Sequence, residues 1–284
     1  MVRRGIVSNL LGKEIVSVRV SDARSLRRHL GSPEEFAQRL VGKTLNTASR
    51  RGKFIWLSGL DDSALVVHLG MSGQVRLDEG EPIRHERIRF GFADGAPDII
   101  FADQRIFGGM FIDRLEPTAD GKPGGIGADS ASIPSSAAHI ARDPLDPFFD
   151  FDAFGAKLGR RSVGIKVALL NQEIVSGIGN IYADEALWAA KLNYATPANE
   201  LSLKQLRLLI DEVSGVMGSA LDAGGTSFDD VYVNVNGESG YFEVSLNAYG
   251  RTGEPCTRCG TPIIRVPWQG RSSHFCPKCQ PPRK

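Results

Sequence analysis

All four cysteines of this 284-residue chain fall within its last 29 residues, as Cys256-x2-Cys259 and Cys276-x2-Cys279 with sixteen residues between the pairs. That spacing suits a four-cysteine zinc ribbon. Each CxxC forms a knuckle that turns two thiolates toward one metal, and a hairpin over 263–275 brings the second pair in to complete the tetrahedron. Four protein ligands leave no position for water, so one Zn2+ is expected in a structural role, holding a hairpin too short to fold on apolar burial alone. The competing reading is two disulfides. It needs an oxidising compartment, whereas residues 1–10 lack the apolar stretch of a secretory signal and no cysteine occurs elsewhere.

The length leaves room for about two modules and a sizeable core. A hydrophobic fraction of 42%, a charged fraction of 24% and a mean hydropathy of -0.15 argue against wholesale disorder and against a fibrous repeat. No apolar run approaches the length needed to span a bilayer, so the cytosol is the expected location. The net charge of +1 conceals an asymmetry: residues 251–284 hold seven Lys or Arg against Glu254 alone, a tail of +6 on a body of -5. A basic tail of this kind suits a polyanion such as nucleic acid, even when a Zn2+ held by four thiolates lowers it to +4.

The N-terminal half reads as β-rich. Short apolar or alternating runs at 15–20, 53–57, 65–69, 74–77, 88–92 and 99–102 are separated by turn-like stretches at 58–63 and 93–97, which predicts a sandwich or barrel. Ser32-Pro33-Glu34-Glu35 ahead of Phe36 and Leu40 predicts a short capped helix. From 117 to 134 the composition shifts to Gly, Ala, Ser, Asp and Pro, which reads as a mobile linker. Helical patterns follow at 151–158, 163–171, 182–190 and 203–221. In the last of these, Leu206, Leu209, Ile210, Val213, Val216 and Met217 form one apolar stripe, with Ser202 as a cap and Gly224-Gly225 as a stop. Residues 232–248 read as a loop with strand character. The expected organisation is α+β and multidomain: a β-sandwich over 1–116, a linker over 117–147, a helical module over 148–248 and a zinc finger over 249–284.

Several motifs are individually weak. Ser176-Gly177-Ile178-Gly179-Asn180 reads either as a tight turn with a capping Asn or as a close backbone approach in which Asn180 meets a phosphate oxygen. His68-Leu69-Gly70-Met71-Ser72-Gly73 fits a strand ending in a turn, with Met71 as core filler. Asp103-Gln104-Arg105-Ile106-Phe107-Gly108 fits a turn with a surface Arg, and Arg50-Arg51-Gly52-Lys53 a solvated charge run.

In combination they are specific. RGKF, HLGMSG, DQRIFGG, VSGIGNIYADEALW, GYFEVSLNAYGRTGEPC and the terminal CxxC pairs, in this order, resemble the formamidopyrimidine-DNA glycosylase family, within the wider group that includes endonuclease VIII. The resemblance covers nearly all of 2–280, apart from 117–134. It implies an N-terminal β-sandwich, a helix-two-turn-helix module and a zinc finger, with double-stranded DNA carrying an oxidised base or abasic site in the cleft between them. A monomer is implied. The implied chemistry is excision of 8-oxoguanine and formamidopyrimidines, followed by β,δ-elimination at the abasic site.

By the same resemblance, Lys53 is a catalytic-type lysine of the cleft that touches DNA beside the lesion. Met71, Arg105 and Phe107 enter the space left by the everted base: Phe107 wedges a step, Met71 fills the gap and Arg105 hydrogen-bonds the orphaned cytosine. His85, Arg161 and Lys166 fall where the family contacts DNA backbone, Asn180 matches a phosphate contact, and Arg271 matches the arginine that grips phosphates flanking the lesion. Residues 229–241 align with the loop that covers the everted base. Phe107 following Arg105, together with the intact cysteines, favours the 8-oxoguanine branch over the pyrimidine-preferring one.

One segment of the family pattern is not in this sequence. Family members begin, after methionine removal, with Pro-Glu-Leu-Pro-Glu-Val-Glu and one further residue, then a stretch like Val2-Arg3-Arg4-Gly5, where this chain starts. The resemblance makes that proline amine the nucleophile that forms an imine with C1′, and the following glutamate the general acid/base. The amine of Met1 would lie roughly seven or eight residues away, beyond recovery by side-chain motion. Two readings stay open: an enzyme whose start lies that much earlier, and a damage-binding module without lyase chemistry. A third, an unrelated zinc-ribbon protein, explains the cysteines but not the other motifs.

Overall fold

In the computed structural model, residues 2–224 and 246–282 are described. The expected lesion-covering loop at 229–241 and most of the 232–248 loop lie outside the described residues. Two compact units are present, 2–139 and 140–224 with 246–282.

The first unit contains α1 (Val2–Asn9), β1 (Ile15–Val20), α2 (Pro33–Leu40), β2 (Thr47–Arg51), β3 (Phe54–Leu60), β4 (Ser63–His68), β5 (Gly73–Leu77), β6 (Glu86–Phe92), β7 (Ile99–Asp103), β8 (Gly109–Pro117) and β9 (Ser132–Pro134). The strands form two antiparallel sheets, ordered β1-β6-β7-β5 and β2-β3-β4-β8-β9. Period-two alternation explains why they face each other. Ile55 and Leu57, Leu65 and Val67, Ile88 and Phe90, and Ile99 and Phe101 enter one core with Ile6, Phe36 and Leu40 from the helices. Each buried side chain of this size contributes roughly 1.5–3 kcal/mol. The α2 helix forms as its residues predict: the Ser32 hydroxyl accepts from the Glu35 amide, Pro33 opens the first turn, and Phe36 and Leu40 are buried.

The 117–134 stretch is not a mobile linker. Its end forms β9 against β8, the backbones of Ile126 and Arg50 exchange two hydrogen bonds of 3.0 Å, and Ile133 is 1% exposed. Composition misled because the segment lies flat over the buried ring of Trp56. A Cβ added to Gly125 would come within 2.9 Å of that ring and 2.4 Å of the Arg50 carbonyl, so the small residues there serve close packing rather than disorder. The Arg50–Lys53 stretch is likewise no simple solvated run, since β2 includes Arg50 and Arg51 and the latter is buried.

The second unit holds α3 (Phe151–Gly159), α4 (Ile165–Leu170), α5 (Asn180–Ala189), α6 (Leu203–Asp222), β10 (Ile264–Trp268) and β11 (Arg271–Phe275). Ser202 and Gln205 form a reciprocal capping box at the start of α6, whose buried stripe is Leu206, Leu209, Ile210, Val213, Met217 and Ala220. The β10–β11 hairpin turns at Gln269 and Gly270, both at positive φ, in the manner of a two-residue connection. Helix α5 carries two buried acids. The Glu185 carboxylate accepts the amides of Asn247, Ala248 and Tyr249, each at 2.8 Å, and so fixes the chain entering the finger. No helix among the described residues is long and apolar enough to cross a membrane.

Candidate functional site

Two connections in the first unit cross from one sheet to the other side by side: β4 to β5 and β7 to β8. Their ends are paired, His68 with Gly109 and Gly73 with Asp103, so Met71 on one loop and Arg105 and Phe107 on the other are brought together. The approach leaves no room for side chains at two positions. A Cβ on Gly70, at φ +63°, would sit 2.5 Å from the Gly108 amide, and one on Gly108 would sit 2.7 Å from the His68 carbonyl. Ile106, at the second tip, holds φ +56°, a region that β-branched residues rarely occupy. Met71 and Phe107 remain 53% and 49% exposed and Arg105 is exposed, so a packed backbone presents two apolar side chains and a guanidinium outward. Met71 is therefore not core filler.

Lys53 is exposed in the turn between β2 and β3, and His68 pairs with Phe54 at the end of β4. Burial, reinforced by the positive charges of Arg28, Lys53 and Arg27, pushes the His68 imidazole down to about 4. Its Nδ1 is buried without a hydrogen-bond partner. A neutral ring with an unused nitrogen beside three cations is an anion-receptive arrangement. Sequence reasoning missed it because the HLGMSG motif was read for its turn rather than its histidine. His85 is exposed at φ +61°, with its carbonyl accepting the Asp103 amide at 3.0 Å. It borders an open cleft of about 640 Å³ that Gln74, Arg76, Arg84 and Gln104 also line.

In the second unit, Asn180 begins α5. Its Nδ2 donates to the Ser272 carbonyl at 3.2 Å, while its buried Oδ1 has no partner. Arg271, one residue away on β11, is exposed, as is Arg161 between α3 and α4. Lys166 is different. Expected to meet DNA backbone, it is 1% exposed; its Nζ lies 2.6 Å from Asp184 Oδ1 and donates to Ser272 O at 2.7 Å and Ser273 Oγ at 3.0 Å. Its charge is consumed inside the unit, so the phosphate role does not hold. Asp184 also accepts the His274 amide at 2.9 Å. Lys166, Asn180 and Asp184 thus all hold the hairpin strand that presents Arg271.

The sulfurs of Cys256, Cys259, Cys276 and Cys279 lie within 4.8 Å of one another, with Cys259 at 3.5 Å from both Cys276 and Cys279. A tetrahedral Zn2+ at about 2.3 Å from each sulfur sets them about 3.8 Å apart, so the cluster fits that ion. The thiols oppose one another's ionisation. Hydrogen bonds from Thr261 draw Cys259 down to about 6, whereas burial, then the neighbouring sulfurs, pushes Cys279 up to about 12. A bound dication would remove that conflict. Trp188 Nε1 donates to Cys256 Sγ at 3.4 Å, and the Arg258 guanidinium stacks over the same indole.

Residues 1–110 match the formamidopyrimidine-DNA glycosylase N-terminal domain, 140–231 its H2TH domain, and 253–282 the zinc finger found in FPG and IleRS. The chain is 50% identical over 287 residues to the formamidopyrimidine-DNA glycosylase of Leifsonia xyli subsp. xyli, covering 99% of this chain and 97% of that one. It is 51% identical over 284 residues to that of Mycobacterium avium, covering 99% and 96%. The chain belongs to the formamidopyrimidine-DNA glycosylase family. Among solved structures, Lactococcus lactis Fpg in complex with DNA containing an abasic site aligns with a TM-score of 0.81 at 32% identity, covering 99% of this chain and 97% of that one. The wild-type Lactococcus enzyme with DNA containing an oxidised pyrimidine aligns with a TM-score of 0.79 at the same identity and coverage.

Proposed function

We propose that this protein, with the family's amino-terminal Pro-Glu segment ahead of Val2, serves as a bifunctional glycosylase and AP lyase of base excision repair. It removes oxidised purines, above all 8-oxoguanine and formamidopyrimidines, from double-stranded DNA and then cuts the abasic site by β,δ-elimination. The observation that carries this reading is the paired presentation of Met71, Arg105 and Phe107 from two abutting loops. Everting a base costs a few kcal/mol of stacking and pairing, so the vacated space has to be refilled. Two apolar side chains and one donor-rich guanidinium suit that task, with Phe107 as wedge, Met71 as filler and Arg105 reading the orphaned cytosine. Lys53, His85, Arg161, Asn180 and Arg271 supply the contacts to phosphate and to the reacting sugar. One structural Zn2+ on the four cysteines holds the hairpin that carries Arg271.

Borohydride trapping on an 8-oxoguanine·cytosine duplex tests the reading. Protein carrying the family's amino-terminal Pro-Glu segment ahead of Val2 gives a covalent adduct and β,δ-elimination products. Tight lesion binding with no excision when that segment is in place would overturn the lyase reading in favour of damage binding alone.

A further inference from the structure

A single carboxylate holds both crossing loops. Asp103, the last residue of β7, is 1% exposed and accepts three hydrogen bonds. The Ser72 hydroxyl and the Arg105 amide donate to Oδ1 at 2.5 and 3.1 Å, and the Gly108 amide donates to Oδ2 at 2.7 Å. The Arg105 amide also donates to the Ser72 hydroxyl at 3.2 Å. From α2's side of the chain, the Arg27 guanidinium donates to the carbonyls of Ile106 and Phe107 at 2.7 and 2.6 Å. A carboxylate is expensive to bury unless its lone pairs are used. Here the donors that use them come from both loops, one next to Met71 and two bracketing the Arg105–Phe107 tip.

We propose that Asp103 is a positioning residue for reading the base opposite the lesion: it sets the point from which the Arg105 side chain leaves the backbone and locks that point to the Met71 loop. This rests on the role given to Arg105 above. Reading a base edge with two parallel hydrogen bonds tolerates displacements of only about half an ångström. The backbone amides of Arg105 and Gly108 cannot turn to suit another partner. In Asp103→Asn, one oxygen becomes an NH2 donor facing either the Gly108 amide or the Arg105 amide, so the amide side chain holds one end of the tip but not both.

The test measures binding of the full chain to short duplexes carrying a tetrahydrofuran abasic-site analogue opposite cytosine or adenine. Wild type, Asp103→Asn, Arg105→Ala and the double variant are compared, with thermal unfolding run alongside. Arg105→Ala abolishes the preference for cytosine. Asp103→Asn reduces it roughly tenfold, with affinity opposite adenine nearly unchanged, and adds nothing in the Arg105→Ala background. A cytosine preference kept within twofold by a folded Asp103→Asn, where Arg105→Ala loses it, overturns the positioning role alone. A preference kept by Arg105→Ala overturns instead the reading on which it rests. If Asp103→Asn does not fold, Ser72→Ala decides the matter: it shows a smaller loss in the same direction, and an unchanged preference refutes the proposal.

Discussion

Lys166 and Asp184 form a buried ion pair, Nζ to Oδ1 2.6 Å, with each side chain 1% exposed. The lysine's remaining donors go to Ser272 and Ser273, and the carboxylate's second oxygen accepts the His274 amide, so both charges are used on the strand that begins with Arg271. Removing one partner leaves the other charged, dry and unmatched. Lys166→Met is therefore expected to lower unfolding free energy by roughly 3–5 kcal/mol. Urea unfolding checks this, and a loss below about 1 kcal/mol would contradict it. Lys166→Met with Asp184→Leu should recover only part of the loss, since the apolar pair leaves no orphan charge but strands the His274 amide that Asp184 accepts.

Arg105→Ala should blunt discrimination for cytosine opposite 8-oxoguanine. Excision rates against the four opposing bases, compared between wild type and variant, give the answer; indifference to the opposing base in both proteins would refute the assigned role.

Cys256→Ser removes one sulfur from a cluster whose four atoms lie within 4.8 Å. Zinc content by mass spectrometry and duplex affinity should fall together, because a Zn2+ on these sulfurs would hold the hairpin that presents Arg271. A metal-free variant with unchanged affinity would separate the two.

Acid should weaken the fold through His68. Its ordinary value of 6.5 applies to the unfolded chain, while burial and the neighbouring cations bring the folded value to about 4. Between those values the unfolded chain holds a proton that the folded one does not. Stability is therefore fully present above about pH 6.5 and declines as pH falls toward 4. Melting temperatures at pH 7 and 4.5 should drop further for wild type than for His68→Gln. Equal drops would remove His68 as the cause.

Duplex affinity should fall linearly on a log scale with salt, with a slope of about -0.9 per phosphate neutralised. Arg271→Ala should make that slope shallower by about 1, whereas Lys166→Met, if folded, should leave it unchanged because that ammonium faces no solvent.

What was legible in the sequence was local. The CxxC spacing anticipated the 264–275 hairpin, and the Ser202 cap with its apolar stripe anticipated α6 to within a residue. Signals that depend on distant partners were not legible. The Gly-rich 117–134 stretch looks unstructured until Trp56 lies beneath it, and α1, eight residues long with an interior glycine, is too short a window to stand out. Lys166 has the composition of a phosphate contact, and only the presence of Asp184 on α5 turns it inward. Asp103 and His68 lie in motifs visible in the sequence, but their work is defined by chain segments brought up from elsewhere: Ser72 for the one, and Arg27 and Arg28 for the other.

The left-handed turn at Ile106 fixes when the ordering cost of the exposed Arg105–Phe107 tip is met. Because Arg27 and the packed glycines already hold that unfavourable φ in the free chain, the conformational entropy of the loop backbone is lost on folding and not again on association. On the function proposed above, only the rotors of Met71, Arg105 and Phe107 remain to be frozen when a duplex arrives, so the protein would meet each base step with a preformed tooth rather than a loop that must first find its shape.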